Sequence, residues 1–459
     1  MARTVEPMTS GTIWKRMVFF AFPLFLGNLF QQLYNTVDSL IVGNFLGSSA
    51  LAAVSSSGSL IFMLIGFLSG IAGGAGVVIA RLYGAGDSAA VQRAVHTTTA
   101  FGLVAGVIMT ILGVTFSPQI LIWMGTPESV LPQSVSYLSI YFSGSLFFVM
   151  YNILVGILQA VGDSRHPLYY LIVSSVVNLV LDVVFIEFVH TNVGGAALAT
   201  VISQAISALL CLWHLMRSRE AYRLDLRRLC FDRYYLKEII RIGLPSGVQN
   251  SIIAFANVLV QSNVNSFGEM AMAGYGAYAK VEGFGFLPIN SFTMALTTFV
   301  GQNLGGKEYE RTHKGVRFGV LAAVSLAEVI GVLIFIFAPQ LIAAFDSTPE
   351  VVRFGTDKAR TSALFYCLLS YSHSIAAVLR GAGKSMIPML VMMVCWCLIR
   401  VTFLMITVPL THSIQMVYWV YPLTWGLSSL AFYWYYTHGN WLDFQIAQQR
   451  YPMRDGENE

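Results

Sequence analysis

Residues 118–128 read PQILIWMGTPE, and residues 339–350 read PQLIAAFDSTPE. Pro118-Gln119 returns as Pro339-Gln340 at an offset of 221, and Thr126-Pro127-Glu128 returns as Thr348-Pro349-Glu350 at 222. Outward from this stretch the echo continues. Gly162 and Pro167 recur as Gly383 and Pro388, Pro23 recurs as Pro245, and Tyr83-Gly84-Ala85-Gly86-Asp87 has a counterpart in Leu304-Gly305-Gly306-Lys307-Glu308. Landmarks this widely spread at a near-constant offset make the chain two copies of one unit.

The copies are built for hydrocarbon. Of 459 residues, 56% are hydrophobic and only 11% charged, and mean hydropathy is +0.67. Soluble domains run at about 45–50% apolar and about 25% charged. The deficit of charge excludes an ordinary soluble enzyme, a secreted disulfide scaffold and a disordered chain. Apolar runs of about 20 residues or more suit helices crossing a core about 30 Å thick. The pattern predicts twelve helices, near 15–45, 51–80, 94–116, 134–160, 167–189, 194–216, 239–266, 271–300, 316–338, 358–380, 387–409 and 414–437. The first run is long, carries Asn28, Gln31, Gln32 and Asp38, and lacks a small-residue cleavage site, so it reads as a span rather than a signal peptide.

Lys and Arg set the orientation. One set of loops holds Arg81, Arg93, Arg165, the cluster Arg217 to Arg241, Lys307, Arg311, Lys314, Arg317, Arg380 and Lys384; the tails add Arg3, Lys15, Arg16, Arg450 and Arg454. The opposite loops hold only Arg353, Lys358 and Arg360, while Lys280 and Arg400 fall inside spans. Both termini are therefore expected in the cytoplasm. Six spans separate the copies, so they share orientation about an axis along the membrane normal. The expected architecture is an all-α membrane protein of two six-helix lobes: N-lobe 1–216, cytoplasmic linker 217–237, C-lobe 238–440 and cytoplasmic tail 441–459. The net charge of +4, with no dense basic stripe, argues against nucleic acid. The five cysteines read as buried small hydrophobes. Two like-oriented bundles facing a cleft suit alternating access. No His cluster, Gly-x-Ser-x-Gly or phosphate loop supports an enzyme.

Acids inside spans mark function, because each costs about 2.5–3.5 kcal/mol at the bilayer centre. Asp38 and Asp182 each lie nine residues before the outer end of their span, at Gly47 and Thr191. At 1.5 Å per residue both sit roughly 13–14 Å deep. Asn178 is one turn before Asp182 on the same face, and Thr200 lies roughly 9 Å into the sixth span. Two carboxylates, an amide oxygen and a hydroxyl suit a hard cation such as Na⁺; two close carboxylates equally suit a proton. In the second copy Asp38 falls opposite Val260, Asn178 opposite Ile399 and Asp182 opposite Phe403. The acidic set is confined to the first copy, so ion coupling is expected in the N-lobe. Pro23, inside the first span, is either a static kink or a hinge that bends when Asp38 changes charge. Gly70, Gly73, Gly74 and Gly76 suit close helix packing rather than a phosphate cradle. Glu282 is expected to pair with Lys280 or Arg400 or to attract a cationic substrate, with Arg400 pairing or lining the cavity. Glu328 suits helix packing, and His373 a satisfied buried site.

At this point the chain resembles the multidrug and toxic compound extrusion (MATE) family, in its DinF/MepA-like bacterial branch. The resemblance runs from Pro23 to about His438. It rests on Gln31-Gln32-Leu33-Tyr34-Asn35-Thr36-Val37-Asp38, Gly156-Ile157-Leu158-Gln159-Ala160-Val161-Gly162-Asp163, Asn178 to Asp182, Gly194-Gly195-Ala196-Ala197-Leu198-Ala199-Thr200 and Leu379-Arg380-Gly381-Ala382-Gly383-Lys384. It implies twelve helices in two lobes around a V-shaped cavity. It implies export of drug-like, often cationic or amphipathic compounds across the bacterial plasma membrane, driven by inward Na⁺ or H⁺, with no cofactor and as a monomer. Asp38, Asn178, Asp182 and Thr200 match the family's N-lobe cation or proton site, Tyr137 and Asn152 its supporting polar network, and Pro23 its bending proline. Gln31 matches a cavity-lining position, and Tyr34, Glu282 and Arg400 are expected beside it. The NorM-like branch places acids in spans seven and ten, but the stretches around Ile253 and Leu369 carry none. The nearest rival is a flippase for a lipid-linked sugar, which favours a more cationic cavity. A major-facilitator carrier is disfavoured because Arg81 to Asp87 lacks that family's acidic-basic signature.

Overall fold

The computed structural model describes residues 7–41, 48–124, 126, 128, 131–189 and 193–442; within these, the side chains of 35, 37–41, 48–60, 62, 187 and 188 fall outside the description. Pro127, the tail beyond residue 442 and the side chains of Asp38 and Glu187 thus lie outside the described residues.

The described residues form helices grouped as twelve spans. The N-lobe holds α1 (Ile13–Ile41), α2 (Ser48–Gly84) and α3 (Ser88–Trp123); a fourth span of α4 (Leu131–Ser143) and α5 (Ser145–Ala160), bent by 48° at Gly144; a fifth of α6 (Arg165–Val183) running into a π-helical turn, Val184–Phe188; and α7 (Val193–Arg217). The C-lobe holds α8 (Arg233–Asn265), α9 (Glu269–Gly305) and α10 (Tyr309–Ala343). Its tenth span joins α11 (Pro349–Ser362) to α12 (Tyr366–Gly381), its eleventh joins α13 (Met386–Met392) through a π segment, Met393–Ile399, to α14 (Arg400–Thr411), and α15 (Ile414–His438) closes the lobe. Several helices outrun the apolar runs that announce them. α3 begins at Ser88 because the Asp87 side chain accepts from the Ala90 N–H, and charged residues propagate a helix past the hydrocarbon edge as readily as apolar ones.

The repeat extends to single backbone angles. Gly86 and Lys307, 221 residues apart, both adopt left-handed φ, +74° and +59°. Behind each the same 6→1 bond closes the helix end, from Asp87 N to Leu82 O and from Glu308 N to Asn303 O. Gly162 and Gly383 repeat the device.

Each lobe has its own core, and each lends its first helix to the other. Met17, Phe20 and Leu24 of α1 pack into the C-lobe core, and Tyr235, Ile239 and Ile242 of α8 into the N-lobe core. The lobes meet through glycine. Gly70 and Gly74 of α2 lie against the backbones of Gly247 and Gly243 of α8, with no room for a Cβ. Gly84 abuts Gln302, and Gly305 abuts Arg81. Gly76 packs near Gly156 O, but Gly73 faces open space, so close packing accounts for three of the four α2 glycines. Gln302 Nε2 donates to Ala160 O at 2.7 Å, and Arg81 Nη2 donates to Gly381 O at 3.3 Å. Nearer mid-helix, Asn250 Nδ2 donates to Gly66 O at 2.9 Å. A strap of residues 8–11 covers this seam: the Met8 N–H donates to Gln302 Oε1 at 2.7 Å, and Arg311 donates to the carbonyls of Met8, Ser10 and Gly11. The glycine, Gln302, Arg81 and strap contacts lie on the halves of the helices nearest the Lys/Arg-rich loops, and the Asn250–Gly66 bond lies at mid-helix.

Candidate functional site

α6 and α7 build the N-lobe site. Asn178 and Asp182 are a turn apart on α6 and fully buried, and Thr200 of α7 is 8% exposed. With its amide oriented to satisfy both ends, Asn178 donates to Asp182 Oδ2 at 2.9 Å and accepts from the Thr200 backbone N–H at 3.2 Å. The Thr200 hydroxyl donates to Ala196 O at 3.0 Å, which leaves its oxygen lone pairs as acceptors. The π turn starts two residues after Asp182; such turns concentrate at functional sites. The structure therefore brings Asn178, Asp182 and Thr200 together. Tyr137 packs with Ala196 and Ala197, the α7 turn before Thr200, and stacks on Tyr141. Asn152 does not join them: it donates to Phe148 O and accepts from Ser69 Oγ of α2. Pro23 is buried inside an α1 that stays helical from Ile13 to Ile41. Gln31 is exposed and Tyr34 half-buried, while Gln32 reaches toward Gly283 of α9 across the lobe boundary.

The C-lobe holds charge that the sequence misplaces. Lys358, expected in an outer loop, lies inside α11 and is 1% exposed. Pro349 starts that helix nine residues earlier than the apolar run suggests, so the lysine is carried inward. Its Nζ donates to Ser362 Oγ at 3.0 Å and sits 3.5 Å from the centre of the Tyr421 ring. Arg400, expected to pair with an acid or line the cavity, is 1% exposed. It donates to Thr424 Oγ1 at 2.8 Å and to Asn257 Oδ1 at 3.5 Å, with its guanidinium 4.5 Å from the same ring. Glu282 pairs with neither Lys280 nor Arg400; it accepts from Tyr278 at 3.1 Å. Lys280 is exposed and lies over Phe345. Glu328 takes a definite role, accepting from the Cys367 N–H at 3.0 Å where α12 starts after the break in span ten. His373 is held edge-on by Phe286 and Trp396. Of the cysteines only Cys211 and Cys395 are buried.

The π segment also corrects the repeat register. A π turn accommodates one extra residue, which raises the offset from 221 before it to 222 after it. Asn178 therefore corresponds to Arg400, and Asp182 to Leu404. The second copy still lacks the acid, but it has an arginine where the first has the amide.

One histidine group went unread in the sequence. Asp163 Oδ2 meets His166 Nδ1 at 2.5 Å and His214 Nε2 at 3.9 Å, while Tyr170 bridges to His214 Nδ1 at 3.0 Å. Asp163 Oδ1 accepts from the backbone N–H groups of Arg165 and His166 at the start of α6. Burial opposes ionisation of Asp163, but the hydrogen bonds from His166 outweigh it and hold the carboxyl below its usual value. His166 and His214 are 48 residues apart, so only folding brings them to one carboxylate.

The MatE family model matches residues 23–184 and again 245–406, blocks 222 residues apart at both ends. Among curated relatives, "Probable multidrug resistance protein YoeA" of Bacillus subtilis (strain 168) is 30% identical over 95% of this chain and 97% of its own. "Multidrug export protein MepA" of Staphylococcus aureus (strain MRSA252) is 26% identical over 76% of this chain and 75% of its own. Among solved structures, "Outward-facing conformation of a multidrug resistance MATE family transporter of the MOP superfamily" superposes with a TM-score of 0.87 at 24% identity, covering 96% of this chain and 98% of that one. With one family unit matched in each lobe and an all-helical fold to agree, the chain belongs to the MATE family of transporters, in its bacterial branch.

Proposed function

We propose that the protein is a secondary antiporter of the bacterial plasma membrane that exports organic, often cationic or amphipathic compounds in exchange for inward Na⁺ or H⁺. The lobes 1–216 and 238–440, joined by a cytoplasmic linker at 217–237, exchange access by rocking about their seam, with both termini in the cytoplasm. The buried Asn178–Asp182–Thr200 group carries the reading. A carboxylate there has strong reason to attract an ion, since its charge is costly in hydrocarbon. A proton would sit on Asp182. A Na⁺ would take carboxylate and Thr200 oxygens, with the Asn178 amide turned to present its own oxygen.

The glycine seam closes the lobes on the Lys/Arg-rich side, which the loop charges put in the cytoplasm. This state is therefore outward-facing. An ion arriving from outside meets Asp182 in the outer half of α6. Compensating that charge, together with Asp38, favours bending of α1 near Pro23 and expulsion of substrate.

The test is efflux of a cationic dye from proteoliposomes under a Na⁺ gradient and a pH gradient imposed separately. Asp182→Asn and Asp38→Asn are expected to lose gradient-driven efflux, by at least about tenfold, while staying folded and able to bind dye. Wild-type rates in both variants would refute the site.

A further inference from the structure

The C-lobe counterpart of the ion site has the opposite sign. Arg400 stands at the repeat position of Asn178. The offset that shifts from 221 to 222 sets Tyr137 against Lys358–Ala359 and Thr200 against Tyr421–Pro422. Lys358 and Arg400 flank the Tyr421 ring at 3.5 and 4.5 Å, which puts their charged ends within about 8 Å of each other. Both are 1% exposed, and among the described residues neither forms an ion pair. The carboxylate facing them, Glu282, accepts from the Tyr278 hydroxyl. Two basic side chains thus stand against one acidic one, in a medium where an unpaired charge costs several kcal/mol. Arg400 Nε has no hydrogen-bond partner among the described residues. The group meets accessible surface at Asn257, which is exposed, and at Glu282, which is half-buried beside Gly283, the residue facing Gln32 of the other lobe.

We propose that this C-lobe group is a binding site for a carboxylate on an amphipathic organic substrate. A bound carboxylate gives the second basic side chain a partner of opposite sign. Guanidinium and ammonium donors match a carboxylate, and the aromatic rings of Tyr275, Tyr421 and Trp396 suit an apolar body. The inference rests on the reading of the protein as an exporter and narrows its substrates: the N-lobe takes the driving cation, and the C-lobe takes the anionic end of the cargo.

The test is equilibrium binding to purified protein in nanodiscs of zwitterionic lipid, without any ion gradient. The probes are naproxen, an arylpropionate, and its uncharged primary amide. Wild type is expected to prefer the carboxylate by about tenfold or more. Lys358→Met should abolish the preference, and Lys358→Arg should keep it. If Lys358→Met does not fold, Arg400→Lys, which keeps the charge but loses the guanidinium fork, should weaken the preference. Equal affinity for the two probes in wild type, or an undiminished preference in Lys358→Met, overturns the proposal. Because no gradient is present, failure of ion coupling at Asp182 leaves this result standing, and failure here leaves gradient-driven efflux of a cationic dye untouched.

Discussion

Asp182 and Lys358 show what a single residue reveals about itself. Asp182 was legible because an acid inside an apolar run has few innocent explanations, and Asn178 one turn earlier marks its face. Lys358 was illegible because it stands at the edge of an apolar run, where lysine normally snorkels to the interface. Only the early helix start at Pro349 carries it inside. Asn152 accepts from Ser69 of α2, a contact that no sequence spacing signals. Lys307 offers a simple test at this scale. It holds the left-handed angle that its counterpart Gly86 adopts freely, a conformation costing an L-residue roughly 1–2 kcal/mol. Lys307→Gly should raise stability by up to about 1 kcal/mol after the entropy of glycine is subtracted, read as a higher melting temperature in detergent. A lower one would show that the side chain has a stabilising role.

At the scale of elements, span number and order followed from hydrophobic run length and from the echo of Pro118-Gln119 in Pro339-Gln340. The breaks within spans did not. The bend at Gly144, the turn at Ala363–Phe365 and the two π segments depend on tertiary partners such as Glu328 and on one-residue insertions, which leave hydropathy unchanged. Yet the insertion in span eleven decides whether Ile399 or Arg400 answers Asn178. The α2–α8 seam is equally specific. Gly74 leaves no space for a Cβ against Gly243, so Gly74→Val should wedge the lobes apart on the Lys/Arg-rich side. Spin labels on the loops after α2 and α9 should then report a longer distance than in wild type. An unchanged distance would mean that the seam is not what closes this face.

For the whole molecule, the two lobes share one fold and differ in charge. The first keeps the acid at Asp182; the second replaces the amide with Arg400 and adds Lys358. In the proposed reading, the driving ion falls to the first lobe and the cargo to the second. On the same proposed reading, closure through glycine on one face leaves the N-lobe site to be reached from the other, as exchange between an ion and a substrate requires. The most direct measurement is ion movement driven by substrate alone. Vesicles containing the wild-type protein, given a gradient of transported dye and no initial ion gradient, should move Na⁺ or H⁺ uphill in the opposite direction, and Asp182→Asn should not. Dye movement in the wild type with no accompanying flux of either ion would contradict the account.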